Sequence, residues 1–194
     1  MVIASHVIMT CYGFWLPNDP RGSWSDFVRQ WEIYWYGSAA KTDDRRSLAR
    51  VPHDRALRAA AKTALRYAPV EFTGLQAQIV GRGFSQAVRE SGYPLLACSI
   101  LPAHVHFVVA RHENPAERIA GHLKARATQA LVDAQLHPFV EHRGADGRFP
   151  SVWARRSWKV FLDDDEAIER AAKYVEENPL KEGKPKQTWS FVAR

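Results

Sequence analysis

The sequence predicts an α+β protein: a ferredoxin-like βαββαβ sandwich with an antiparallel sheet, a further C-terminal helix and an insertion after the first strand. Three observations carry this expectation. Short β-branched or apolar runs alternate with longer helical patterns in the order β-α-β-β-α-β. The two middle strands, 93–100 and 104–111, are joined by a turn at Leu101 and Pro102, and so short a connection demands antiparallel pairing. One stretch, from about 17 to 70, fits neither period and interrupts the pattern soon after the first strand.

Residues 2–11 are β-branched and apolar, as in a central strand, with His6 in the middle. Residues 12–22 are rich in Gly, Pro, Asn and Asp and read as loop. Residues 23–50 combine Trp31, Tyr34, Trp35 and Tyr36 with a polar run from Thr42 to Arg46, and alanine and leucine among arginines make 54–66 a short helix. Trp15, Trp31 and Trp35 are expected mainly to build the core of this elaboration, base stacking being the other use of such rings. Helix 74–91 places Leu75, Ile79, Phe84 and Val88 at apolar positions, although Gly81 and Gly83 weaken it. Asn114 and Pro115 introduce a helix over 117–136, with Ile119, Leu123, Ala127 and Leu131 near one face. A strand lies within 151–162. Asp163, Asp164 and Asp165 then favour the start of the last helix, which is expected to end at Asn178 because Pro179 follows. The whole chain, 1–194, reads as one domain carrying the 17–70 elaboration.

With 46% hydrophobic and 25% charged residues the composition is that of a globular protein. No apolar run approaches the roughly 20 residues that span a bilayer, so no membrane partner is expected. The N-terminus lacks the basic start and small-residue cleavage site of a signal peptide. Cys11 and Cys98 lie in strands at no metal or redox spacing and read as buried thiols. A cytoplasmic location is the expectation. The net charge of +6 favours a polyanionic partner.

Candidate chemistry begins at the strand 104–111. His104 and His106 stand at i and i+2, so both imidazoles leave one face of the strand. Neutral imidazoles side by side are half of a divalent-metal site. Tyr174 and Asn178 stand four apart in the last helical segment, hence on one of its faces. A metal with a positioned tyrosine is equipment for attacking a phosphodiester and holding the broken strand covalently. Imidazole and amide donors with positions left for phosphate oxygens suit Mg²⁺ or Mn²⁺. Trp153, Arg155, Arg156 and Lys159 pair cations with aromatics, the combination that suits single-stranded nucleic acid, although the tryptophans have an equal claim to the core. Arg170, one turn before Tyr174, is placed to meet a phosphate or simply to carry surface charge. A solvated acidic face is the first reading of Glu176 and Glu177, with orientation of Tyr174 or support of the metal as the alternative for Glu177. An ordinary strand histidine is the first reading of His6, with a place beside the site as the alternative.

This constellation resembles the HUH single-tyrosine transposases, in particular the REP-associated tyrosine transposases and their insertion-sequence relatives. The resemblance spans roughly 1–16 and 75–182. It rests on His104-Val-His106 after Leu101-Pro102, then Tyr174 four residues before Asn178-Pro179. It implies that His104 and His106 are metal ligands, Asn178 a third ligand and Tyr174 the nucleophile. The product would be a 5′-phosphotyrosine and a free 3′-hydroxyl, on single-stranded DNA with hairpin-forming ends. The resemblance leaves a homodimer open, since some members of this broad group serve a partner's metal site with the tyrosine helix and others work alone. The alternatives are a domesticated, non-cleaving binder of structured single-stranded DNA and, less favoured, an unrelated metal-dependent hydrolase or RNA-acting enzyme.

Overall fold

A computed structural model describes residues 1–42, 48 and 51–193; most of the polar run ending at Arg46 lies outside them. The chain forms two compact units, Met1–Cys11 with Glu71–Arg194, and Tyr12–Val70.

The first unit contains strands β1 (Ala4–Cys11), β2 (Leu95–Ile100), β3 (His104–Ala110) and β4 (Trp153–Leu162). They form one sheet of order β2-β3-β1-β4, with every neighbouring pair antiparallel. The α+β class and the antiparallel sheet are therefore as expected. Among the described residues the second unit holds two short helices, α1 (Trp31–Tyr34) and α2 (Arg55–Thr63); three long ones, α3 (Gly74–Ser91), α4 (Ala116–Asp133) and α5 (Asp165–Lys181), belong to the first.

Strand alternation divides the sheet residues between two layers. Val7, Met9 and Cys11 of β1 and Val105, Phe107 and Val109 of β3 are buried, and Trp153 of the α4 layer donates its Nε1–H to Thr128 Oγ1 at 3.2 Å. The opposite face packs Ala4, Ala97, Val108 and Leu162 against Val175, Ala167, Ile168 and Ala171 of α5. That second face carries the even-numbered histidines.

Helix ends explain most departures from the expected boundaries. Thr73 and Gln76 form a reciprocal capping box that starts α3, and Gly92 closes it in the left-handed region at φ 64°. Helix α4 stops at Asp133 rather than 136. Gln135 adopts φ 56°, and the amides of Gln135 and Leu136 return to the carbonyls of Val132 and Leu131, a Schellman closure achieved without glycine.

Helix α5 does not end at Asn178. It continues through Pro179 to Lys181, and the closure comes at Gly183 (φ 67°), whose amide bonds Leu180 O while that of Lys184 bonds Pro179 O. Proline removes one backbone donor in the last full turn, which the following turn outlives. The added turn brings Glu182 into line with Asn178.

Gly81 and Gly83, which weaken α3 as a sequence pattern, are required by packing. A Cβ at Gly83 would stand 2.6 Å from Ala127 Cα and Arg126 O of α4, and one at Gly81 would meet the Trp189 ring at 2.3 Å. Trp189 belongs to a C-terminal segment that follows β2. Gln187 bonds both backbone groups of Ile100 at 2.8 Å, and Ala193 N bonds Leu95 O at 2.8 Å. The edge of β2 is thereby covered, which removes a template for unwanted strand pairing.

In the second unit Leu16, Ile33, Ala61 and Leu65 form a small core. Asp19, fully buried, takes a forked pair of bonds from Arg21 at 2.7 and 2.8 Å, and Arg58 Nε lies 3.3 Å away. Burial pushes the Asp19 carboxyl up, but the two guanidiniums outweigh it and hold the carboxyl below its usual range. The tryptophans depart from expectation here. Trp15 is half-buried and donates to Gly22 O at 2.8 Å, whereas Trp31 and Trp35 are 67% and 73% exposed. Helix α1 is a single turn whose Ile33 fills the core, so the face bearing Trp31, Tyr34 and Trp35 points away from it.

Gly83→Ala should cost about 1–3 kcal/mol of stability by forcing α3 off α4, read as a lowered urea midpoint. An unchanged midpoint would show that the helix pair tolerates the extra methyl group.

A candidate active site between the sheet and the last helix

Three imidazoles meet on the α5 face of the sheet. His104 and His106 are contributed by β3, and their rings lie 4.9 Å apart at 73°. In the β1–β3 register Ile8 opposes His106 and His6 opposes Val108, so His6 is the diagonal neighbour of His106 on the same face. His6 Nε2 and His106 Nδ1 are 3.0 Å apart, a hydrogen bond in which one ring carries the proton and the other the lone pair.

Helix α5 lays one stripe over this cluster. The Tyr174 ring meets His6 edge-on at 5.9 Å and His106 at 5.7 Å between centroids. Eight residues later Glu182 Oε1 lies 3.8 Å from His104 Nε2. Asn178, midway between them on the i, i+4, i+8 stripe, is buried at 8% exposure. Tyr174 remains 44% exposed, with Lys181 Nζ 4.6 Å from its ring. The tyrosine thus spans the buried histidines and the solvent.

Burial sets the charge state of the cluster. Desolvation lowers His6 and His104 to about 4, and it lowers His106 well below the usual imidazole value with help from its two neighbours. All three are neutral near pH 7, the form in which imidazole nitrogen serves as a ligand. Burial raises the Glu182 carboxyl, against the opposing pull of Lys184. Among the described residues no three His, Cys, Asp or Glu side chains are grouped to hold a metal ion by themselves. The donor types at the site, two neutral imidazoles from β3 with an amide and a carboxylate from the helix stripe, are nonetheless those that suit a divalent cation with positions left for other oxygen ligands.

Of the residues singled out in the sequence, His104, His106 and Tyr174 come together, and Asn178 stands on the same helix stripe. Trp153 does not present a stacking face: it is 6% exposed and packs edge-on against Phe72. Lys159 is opposite Val7 in the register, on the far side of the sheet from the histidines, and pairs with Glu117 of α4. Arg155 and Arg156 are exposed where the β1–β4 register shifts. Arg170 is exposed and bonds Glu166 at 3.1 Å, one turn back. Glu177 pairs with Lys181 at 3.5 Å, as a surface acid does.

Sequence reasoning underrated one neighbour and missed another. His6 was readable as a histidine in a strand but not as the hydrogen-bond partner of His106, because that depends on register. Glu182 was hidden by the expected helix end at Asn178. Trp158 and Val160 of β4 also share the histidine face, opposite Ile8 and His6, and leave a partly open apolar floor there.

No protein-family model matches this chain, and no curated protein sequence matches it. Among solved structures, that of a REP-associated tyrosine transposase bound to a REP hairpin aligns with a TM-score of 0.49 and 12% sequence identity. The alignment covers 93% of this chain and 68% of that one. No helix among the described residues is long and apolar enough to cross a membrane.

Acid should destabilise the metal-free fold through the histidines. Their folded values lie below the unfolded value near 6.5, so the unfolded chain takes up protons first as pH falls. Stability is full above about pH 6.5 and drains towards pH 4, by up to about 1.4 kcal/mol per pH unit for each imidazole. Urea unfolding in EDTA should show a clearly lower midpoint at pH 5 than at pH 7.5; equal midpoints would contradict the burial described for these rings.

Proposed function

We propose that this protein is a metal-dependent strand transferase for single-stranded DNA, cutting and rejoining hairpin-bearing DNA through a 5′-phosphotyrosine on Tyr174. The observation that carries the reading is the meeting of two neutral imidazoles from β3 with the half-exposed ring of Tyr174 on one sheet face.

In the cutting step the Tyr174 phenolic oxygen attacks phosphorus. A phosphorus–oxygen bond forms to the tyrosine as the bond to the 3′-oxygen breaks. The phenolic proton passes to solvent, which Tyr174 already faces, and the departing 3′-oxygen takes a proton from solvent to end as a hydroxyl. Because one ester replaces another, a 3′-hydroxyl from a second strand reverses the step and rejoins DNA without a separate energy source. A Mg²⁺ or Mn²⁺ ion, when bound, would polarise the scissile phosphate and offset the charge developing on it. His104 and His106 are its nitrogen ligands in this reading, Asn178 its amide-oxygen ligand, and Glu182 a further oxygen donor on the same stripe. His6 orients His106. With the shared proton on His106 Nδ1, Nε2 of that ring keeps its lone pair for coordination.

Arg155, Arg156 and Arg170 are assigned to phosphates, while Trp158 and Val160 offer an apolar floor to an unpaired base beside the tyrosine. Tyr174 faces histidines of its own chain, which supports action in cis. The alternative, a non-cleaving binder of structured single-stranded DNA, is favoured by one observation. His6 already engages His106 Nδ1, and Glu182 faces His104 Nε2, so the pair has protein neighbours of its own.

Incubation with Mn²⁺ and a pool of labelled DNA hairpins, followed by a denaturing gel, separates these readings. The native protein should form an adduct that survives denaturation. Tyr174→Phe should form none while binding hairpins with affinity within about threefold, since only the phenolic hydroxyl is removed. Asn178→Ala should raise the Mn²⁺ needed for half-maximal adduct by about tenfold or more. An adduct that persists in Tyr174→Phe would overturn the nucleophile assignment, and no adduct with any hairpin would favour the binder.

A further inference from the structure

The second unit carries a surface that the strand-transfer site does not use. Trp31 and Tyr34 of α1 and its C-cap Trp35 stand at i, i+3 and i+4, and they are 67%, 52% and 73% exposed. The Trp31 and Tyr34 rings are nearly parallel, at 4° and 5.6 Å, while Trp35 stands edge-on to both at 77° and 80°. Each ring therefore braces another, and at least one large face is left towards solvent. Elsewhere in the same unit, Trp24 and Phe27 are also exposed.

Large rings held in water are unfavourable unless something covers them. Two features narrow the occupant. The ridge exposes about 450 Å² of aromatic surface, short of the roughly 800 Å² per partner that a stable protein interface buries. The surrounding unit is basic: residues 12–70 contain 10 Lys and Arg against 6 Asp and Glu, which is four of the chain's six net positive charges. Arg29 lies over the Phe27 ring at 4.5 Å, and helix α2, packed on the same core as Ile33, carries Arg55 and leads into Arg66. Flat rings that work one at a time amid excess positive charge fit a ligand that is itself a row of flat rings on an anionic thread.

We infer that the Trp31–Tyr34–Trp35 ridge is a binding site for unpaired bases of single-stranded nucleic acid, additional to the tyrosine site. It rests on the strand-transfer reading only for the class of its ligand. Base faces stack on Trp31 and Trp35, and the phosphate thread runs among the basic side chains. Because every base offers a π-face, the site holds strand without reading its sequence.

Titration of an end-labelled, unstructured oligothymidylate of about 10 nucleotides with the full-length protein, followed by fluorescence anisotropy of the label, tests this. The native protein should raise the anisotropy on binding. Trp31→Ala with Trp35→Ala should weaken binding by at least about tenfold with unchanged circular dichroism, and Trp31→Phe with Trp35→Phe should restore most of it. Affinity insensitive to the alanine pair would overturn the inference. So would a result in which the alanine pair abolishes self-association in sedimentation and leaves oligothymidylate binding intact, because the ridge would then join copies of the chain. Hairpin adduct formation in the native protein is scored alongside. Adducts with alanine-insensitive strand binding sink the ridge alone, whereas alanine-sensitive binding without adducts sinks the strand-transfer reading alone.

Discussion

The antiparallel register of β1 against β3 is the constraint on which the site depends. It sets Ile8 opposite His106 and His6 opposite Val108, so three imidazoles leave one face of the sheet in adjoining positions. Strand alternation makes this an all-or-nothing arrangement. A slip of one residue would send His6 to the α4 layer and break its 3.0 Å bond to His106. The buried residues on the other face, Val7, Met9, Val105 and Phe107 among them, resist that slip because it would take them out of the core they fill. The hydrophobic core thus specifies the polar cluster indirectly, by forbidding the alternative pairing.

The last helix completes the arrangement through its length. Ala167, Ile168, Ala171 and Val175 seat α5 on the sheet, and the adjoining stripe then has no choice but to cross the histidines. Ala167 and Ala171 add little bulk between the helix and the sheet. The extension through Pro179 shapes the histidine cluster as well as the helix boundary, since it aligns Glu182 behind Tyr174 and Asn178 and brings a carboxylate to His104. Burial on this face keeps the imidazoles neutral, and partial exposure keeps the tyrosine accessible. One packed interface produces both conditions.

Much of this was legible from residue order. Strand alternation put His104 and His106 on one side, and the spacing of Tyr174 and Asn178 put them on one helix face. The α+β class followed from the order of periodicities. What escaped the sequence depended on long-range pairing or on closures with weak local signals. His6 acquires its partner from a register that no local pattern states. Helix α4 ends on a left-handed Gln135, where glycine would have announced the stop. Trp153 and Trp31 show the same difficulty from opposite sides. An aromatic among arginines proved to be core, and an aromatic expected in a core proved to face solvent. Ring type alone does not tell which, because a buried indole needs only one acceptor and Thr128 supplies it.

The central claim is that His104 and His106 hold a divalent cation on the sheet face beneath Tyr174. Pulsed electron paramagnetic resonance of the protein loaded with one equivalent of Mn²⁺ tests it most directly. The account predicts modulation from two coordinated imidazole nitrogens, reduced to one in His104→Ala. A spectrum of fully hydrated Mn²⁺, without coordinated nitrogen, would contradict it.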